Sequence, residues 1–595
     1  MVAKKTLVTT ALESTWPEKG LILFLGSWCC SFSRKEYISS LNFDIAHYHW
    51  DDRNKLAKDY KNLELIYEFY LDDFSKKLNK IHNQSYSKRY WRILIGPWLY
   101  TCIQVLYDRW YMLYSTINKS ETLNIFSLDK EFSDLICDDL DAFNASIEND
   151  EWNEVLYSTI VKFFFPKQVT IKTITQKKPT RQKINFKRDE IKSINKRNNL
   201  KSTIKLFLNI LSGFFVRRSD VFIIAPHMSY YKQFLLSIKL RQFPALWFRK
   251  SKKIACDQKP ILRNHIKTSS PGIYEDFEAV LNFMLFKLIP KSYLEGFNVL
   301  KKLTKSQGWP KSPRSIFTSN AYSSDEIFKC WVGEKVEKGS KLIIGQHGGN
   351  FGMTPMAIHE AHQIKISDKW LSWGWNDASE EKIIPVGNFK SKIKKSNKRS
   401  DGNALLASMT LPKYSYYLYS VPIAGQVARY FEDQLSFADA LPEYIKKKLI
   451  IRTYPLDREW DQIRRWQNRF GNISFDNSGN SLIKSLASSR IFIGTYNATT
   501  YLETFSVNMP TILFWNPNHW EINANSMDYF SKLVDVNILH YSPESAAVHL
   551  ENIWNEIDDW WFSDDVQKVV NDFTYRYSKE NRNIVDSIAS QLKLN

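Results

Sequence analysis

Cysteine is scarce in this chain: six residues in 595, adjacent at Cys29-Cys30, otherwise scattered, and never spaced as C-x-x-C. That excludes a disulfide framework and a Cys-type zinc site, and it fits a reducing compartment. Long apolar runs are also missing. The best, around Leu206–Val216 and Ile93–Leu106, are short or broken by Pro97, Tyr100 and Gln104, whereas a membrane span needs about 20 apolar residues. The opening MVAKKTLVTTALEST lacks the apolar core of a signal peptide, so a cytoplasmic protein is expected. No GxxxxGK[ST], GxGxxG or GxSxG occurs, which argues against an NTPase, a dinucleotide dehydrogenase and a serine hydrolase. His359-Glu360-Ala361-His362 is not HExxH, because Gln363 stands where the second histidine belongs, and Asp139-Leu140-Asp141 reads as a solvated helical face. No metal site and no cofactor are expected.

What is present is positive charge. Lys and Arg number 82 against 63 Asp and Glu, a net charge of +19, which calls for an anionic partner. The excess sits in two stretches. Lys167–Lys205 holds thirteen Lys or Arg against Asp189 and Glu190, and Asn388–Asn403 is the second. Neither interleaves aromatics with its charges and no recognition motif is seen, so a nucleic acid is not expected. Peripheral contact with an anionic membrane, at its inner face, accounts for the same charge. Aromatics reach 15%; such rings stack on sugars or bases, but filling the core is the commoner use.

Short apolar runs alternate with helical stretches. Lys5–Thr10, Leu21–Gly26, DVFIIA (220–225), SIFTS (315–319) and KLIIG (341–345) read as strands, as do Ala404–Ser408, Lys448–Thr453, Arg490–Gly494 and Thr511–Phe514. Helical periodicity runs from Leu56 to about Ile125, and 126–165 continues mostly helical. This predicts an α/β fold of two tandem units. Residues 1–385 form one, with a helical insertion at about 55–165 and a basic linker at 167–205; residues 386–595 form the other, its terminal Trp-rich helices packing back across both.

Gly345-Gln346-His347-Gly348-Gly349-Asn350-Phe351-Gly352 directly follows a strand, where ligands of open α/β sheets bind. Its glycines let backbone N–H groups approach an anion, and His347 can donate to a phosphate or move a proton. Gly494-Thr495-Tyr496-Asn497-Ala498-Thr499-Thr500-Tyr501-Leu502-Glu503 places small and hydroxyl residues at a helix start, a ready anion site or an ordinary cap, with Glu503 able to accept from ribose hydroxyls. Arg452 ends another strand and suits either bidentate phosphate contact or a structural ion pair.

The paired α/β units resemble the GT-B glycosyltransferase architecture, and GTYNATTYLETFSVNMPTILF is similar to its donor-binding signature. The same turn is similar to G-x-x-N-x-x-E of the Kdo (3-deoxy-octulosonic acid) transferases, with Thr and Tyr in place of Gly and His. LVTTALESTW, FLGSWC, HYHWDDR, Arg89–Leu99, IIGQHGGNFG, Ile366–Trp375 and Pro385–Asn388 resemble a bacterial family of surface-polysaccharide transferases over nearly the whole chain.

The resemblance implies two Rossmann-like domains facing across a cleft. It implies a nucleotide-sugar donor in the C-terminal one, a glycan or lipid-linked acceptor in the N-terminal one, and no metal. A CMP-activated ulosonic acid is the expected donor, with Gln346, Gly348, Gly349, Arg452, Thr495, Asn497, Thr499, Thr500 and Glu503 about it and His347 assisting departure of its phosphate. Asp52, Asp51 and Glu360 compete as the acceptor's base. The alternatives are a polyol-phosphate transferase, a UDP-sugar epimerase and an anionic-polymer binder.

Overall fold

Runs of Val, Ile, Leu and Phe bounded by turn residues suit strands buried on both faces of a parallel sheet. A computed structural model describes residues 5–120, 123–174, 209, 212–217, 220–248, 254, 256–264, 269–390, 402–415, 418–476 and 482–593. Among these, every strand pair is parallel, and the strands form three sheets. The first comprises β1 (Thr6–Val8), β2 (Ile22–Phe24), β3 (Phe43–Ile45), β4 (Leu123–Leu128) and β5 (Val169–Ile174), in the order β3-β2-β1-β4-β5. The second comprises β6 (Val221–Ile223), β7 (Ser315–Thr318), β8 (Lys341–Gly345), β9 (Lys369–Ser372) and β10 (Ile383–Pro385), laid down sequentially as β10-β9-β8-β7-β6. The third comprises β11 (Asn403–Ala407), β12 (Leu449–Arg452), β13 (Ser474–Phe475), β14 (Ser489–Gly494), β15 (Thr511–Phe514) and β16 (Leu539–His540). Its order, β13-β12-β11-β14-β15-β16, is that of a dinucleotide-type doubly wound sheet.

Residue 386, where a boundary is expected, follows the last strand of the second sheet and precedes the first strand of the third. The first sheet is an addition. It requires two corrections: Leu123–Leu128, expected as helix, is β4, and Val169–Ile174, expected as the start of a basic linker, is edge strand β5 beside it. Most of both basic stretches lies outside the described residues.

Two helices, Arg53–His82 and Lys88–Ile117, occupy most of the expected insertion, each of 30 residues. The first is amphipathic; the second is buried almost all round and so lies in the centre of the molecule. Gly96 makes this possible, because a Cβ there would meet His362 Cε1 and the Tyr67 hydroxyl at 2.9 Å. Arg89 binds Asp368 at 2.8 Å and the Tyr100 hydroxyl meets His359 Nδ1 at 2.9 Å, so the pair ties the first unit to the second. The third unit reaches the first through its loop after β11. Lys413 Nζ lies 2.9 Å from buried Asp150, the Tyr414 hydroxyl donates to the same carboxylate at 2.6 Å, and fully buried Arg109 donates to the Ser415 carbonyl at 2.7 Å.

Aromatics fill the core: Trp50, Trp91, Trp98, Trp370, Trp373, Trp520 and Trp561 are all fully buried. The C-terminal residues pack on the second unit. Lys579 N–H donates to the Trp373 carbonyl at 2.8 Å, and helix Ile584–Leu592 lies on helix Tyr230–Lys239. No helix among the described residues is long and apolar enough to cross a membrane.

Candidate active site

β8 and β14 end in glycine-containing turns from facing sheets, and those turns touch. Gly349 N–H donates to Thr499 Oγ1 at 2.8 Å. A Cβ on Gly349 would lie 2.6 Å from the Ala498 carbonyl carbon and oxygen and 2.8 Å from Thr499 Cα, so only glycine permits this approach. Each turn also carries a buried polar atom without a protein partner: His347 Nδ1 in one, Asn497 Nδ2 in the other. Buried polar groups are ordinarily satisfied, so both atoms have capacity left for a ligand's donor or acceptor.

His347 faces His227, ring centroids 5.9 Å apart. His227 is brought there by the turn after β6, where Ala225 and His227 both adopt left-handed backbone, at φ 45° and 53°. Such strain in non-glycine residues gathers at functional sites. Burial, with His227, His359 and Lys390 close by, pulls His347 down to about 4, so its imidazole is neutral at pH 7; a hydrogen bond to the Ser319 backbone opposes the shift. Burial and Lys390 lower His227 as well. Lys390 pairs with Glu503 at 3.1 Å. Cavities of about 680 and 890 Å³ flank this ground, within the usual span of ligand pockets. His227, Ser229 and Asn320 line the smaller; Ser229, Lys232, Lys390 and Glu503 line the larger.

The expected set does not all gather here. Gly348 sits against Thr499, and Thr500 shares a 2.6 Å hydrogen bond with the Tyr496 hydroxyl in the same turn. Three of the expected donor residues have their polar atoms engaged inside the fold. Arg452 is bound by Asp476 and by Ser485 Oγ, a structural ion pair. Thr495 Oγ1 donates to the Ala407 carbonyl at 2.9 Å and meets the Tyr430 hydroxyl at 2.6 Å. Gln346, fully buried, donates to the Gly348 carbonyl and accepts from Trp373 N–H and Trp375 Nε1, which braces the turn from behind.

The carboxylates separate. Asp52 caps helix Arg53–His82, accepting from Asn54 and Lys55 N–H at 2.9 and 3.1 Å. Asp51 accepts from Gln426 Nε2 at 3.0 Å, and neighbouring Arg53 is clasped by Glu521 at 2.7 and 2.9 Å. They line another cavity of about 890 Å³, between the first and third sheets, with Arg429 and His519. Glu360 instead belongs to the glycine turn: it accepts from Gly352 N–H at 2.8 Å, and burial lifts its carboxyl to about 8 against that bond. Sequence reasoning missed His227 and Lys390. A signal existed for the first, since PHMS follows DVFIIA as QHGG follows KLIIG. Among the described residues no three His, Cys, Asp or Glu side chains are placed to hold a metal ion.

The model of the LIC12162 family of transferases matches residues 5–592. No curated protein matches the chain. Several solved structures align along most of their own length. The wall teichoic acid polymerase TagF is 12% identical, with 69% of this chain and 98% of that one covered at a TM-score of 0.30. The UDP-N-acetylglucosamine 2-epimerase of Rickettsia bellii is 13% identical, covering 63% and 98% at 0.32. WaaG, a glycosyltransferase involved in lipopolysaccharide biosynthesis, is 10% identical, covering 63% and 100% at 0.28. At these scores the likeness carries no weight for the reaction.

Proposed function

The chain belongs to the LIC12162 family of transferases, and we propose that the group it transfers is a sugar, taken from a nucleotide donor bound where the β8 and β14 turns meet. The observation that carries this reading is that contact, Gly349 to Thr499, with an unpartnered buried atom on each side of it. The first turn of helix Thr499–Ser506 offers unpaired N–H groups and a positive dipole end to a phosphate, and Lys390, ion-paired with Glu503, lies near it. Together these would stabilise the leaving phosphate without a metal. Glu503, half-buried and already paired with Lys390, is placed to accept from ribose hydroxyls.

His347 donates to the Ser319 backbone and, while neutral, leaves Nδ1 an unpartnered acceptor; it assists departure of the phosphate once Nδ1 has taken up a proton that it can then donate. Glu360, its carboxyl lifted to about 8, takes a proton from an acceptor hydroxyl only in its ionised form, which gains as pH rises. Among Glu360, Asp52 and Asp51 the first fits best, being the one that shares the His347 turn. The donor we propose is a CMP-activated ulosonic acid, supported by the likeness of residues 494–503 to the Kdo-transferase turn, and the acceptor a bacterial surface glycan or its lipid-linked precursor. The test is thermal stabilisation of the whole chain by CMP, UDP and GDP, in wild type and in Asn497→Ala. CMP should raise the melting temperature most, and the variant should lose the shift. A dominant UDP effect, with sugar released as an epimer and no acceptor product, overturns the reading.

A further inference from the structure

The cavity of about 890 Å³ between the first and third units lies apart from the transfer ground: none of its lining residues lines either cavity at the β8 and β14 turns. Its walls come from two places. The first unit supplies the loop HYHWDDR, with Asp51 and Asp52; the third supplies Arg429, Asn518 and His519. What the walls still offer follows from what their groups already bind. Arg53 is spent: Glu521 takes two of its nitrogens, and Gln426 and the Val421 carbonyl take the rest. Asp51 and Asp52 accept through one oxygen each, and among the described residues the other oxygen takes no hydrogen bond. Arg429 and Asn518 are exposed, and neither side chain bonds any described residue. Asp433, one helical turn on, feels the Arg429 charge without forming an ion pair with it. Burial, with Arg53 and Arg429 close by, holds His519 down to about 4, so its imidazole is neutral at pH 7 and offers one N–H and one acceptor nitrogen.

These open groups narrow the class of ligand. A bare anion would meet Asp51 and Asp52, a bare cation would meet Arg429, and an apolar molecule would strand all of them. A hydroxyl donates to a carboxylate and accepts from a guanidinium or an amide. A neutral molecule carrying several hydroxyls therefore satisfies both walls at once. Ile45, 45% exposed, and Pro517 add an apolar edge for the C–H face of a ring, and the volume lies within the usual span of ligand pockets. We propose that this cavity is a second carbohydrate site, separate from the ground where the β8 and β14 turns meet. It stands without the sugar-transfer reading. Its walls belong to different units, so a sugar held there fastens the first unit to the third and adds its binding energy to the stability of the whole chain.

The experiment is saturation-transfer difference NMR on the full chain with glucose, galactose, rhamnose and N-acetylglucosamine in turn. At least one should take up saturation and raise the melting temperature. Arg429→Ala/Asn518→Ala should weaken that sugar about tenfold while the free protein melts unchanged, because the two side chains face solvent and hold nothing in the fold. His347→Ala should bind the sugar as wild type does, and inorganic phosphate should not displace it. Wild type that saturates none of the four, or a double variant that binds as tightly as wild type, overturns the proposal. So does displacement by phosphate, which would make the cavity an anion site. A sugar lost in His347→Ala but kept in the double variant overturns it too, and gives that sugar to the transfer site. Nucleotide stabilisation, measured separately, tests the transfer reading alone.

Discussion

The first and third sheets share one strand order over five positions, three-two-one-four-five, yet they end differently. In the first, the crevice where the order reverses is stoppered. Trp16 and Trp28 donate to the Thr10 and Thr9 carbonyls at 3.1 and 3.0 Å, and buried Glu154 accepts from Thr9 at 2.6 Å with its carboxyl lifted to about 7 by burial. Beside it, Asp51, Asp52 and Arg53 are engaged by a helix cap and by contacts to the third unit. In the third sheet, the turn after β14 meets a turn from another sheet; unpartnered atoms occur at both crevices, Glu154 Oε1 in the first and His347 Nδ1 and Asn497 Nδ2 here, so what differs is the tryptophans that fill the first. Topology alone places a crevice; the side chains then decide whether it is plugged or left for a ligand.

The largest effect expected is at His347. His347→Ala should cut turnover by about 10²-fold at an unchanged melting temperature; turnover retained in the folded variant removes it from the mechanism. Gly349→Ala should come next. Its Cβ meets backbone that cannot rotate away, so about 1–3 kcal/mol of stability should be lost in chemical denaturation. Gly425→Ala, at the contact of the first and third units, meets only the rotatable Ser27 hydroxyl at its closest approach and should cost far less; equal losses would erase the contrast. Glu503→Ala should weaken nucleotide affinity by about 1–3 kcal/mol in calorimetric titration, and a wild-type affinity would exclude it from the donor contacts.

Stability against pH sharpens the same contrast. His347 and His359 are held near 4 by burial, against an ordinary value of 6.5. The unfolded chain therefore binds more protons between those values, and stability falls on acidification from about 6.5 to 4. Glu360, raised to about 8, works the other way: its contribution is full below its ordinary value near 4.5 and fades as pH climbs toward 8. The melting temperature should peak near pH 6.5, and Glu360→Gln should flatten the alkaline side. The smallest effect is reserved for Asp52→Asn. Asn caps a helix as well as Asp does, so stability should change by less than about 0.5 kcal/mol; a large loss of turnover there would instead make Asp52 the base.

Much of this fold was legible because its strands are short unbroken apolar runs: KLIIG and TILF fold over the expected residues. β4 was hidden by the helices before it, although the polar run NKSET stands between them in the sequence, and the β-branched alternation of VTIKTI was masked by the lysines that follow. Missing those two strands meant missing the first sheet as a sheet of its own. At the site, the glycine turns announced themselves by spacing. Arg452 did not, since its partner Asp476 lies 24 residues away across the sheet, and nothing local distinguishes an arginine that binds a ligand from one already paired.

The helix Arg53–His82 has one further consequence. Its 30 residues make a rod about 45 Å long at 1.5 Å per residue. The capped end stands at the cavity between the first and third sheets; at the other end, His82 Nε2 lies 3.0 Å from the Tyr293 carbonyl in the second unit. A rod of that length converts a tilt of about one degree at its cap into about 0.8 Å of travel at the far end. A displacement of the capped end beside Asp51 and Arg53 is therefore carried, enlarged, to the packing of His82 on Tyr293 and Phe297.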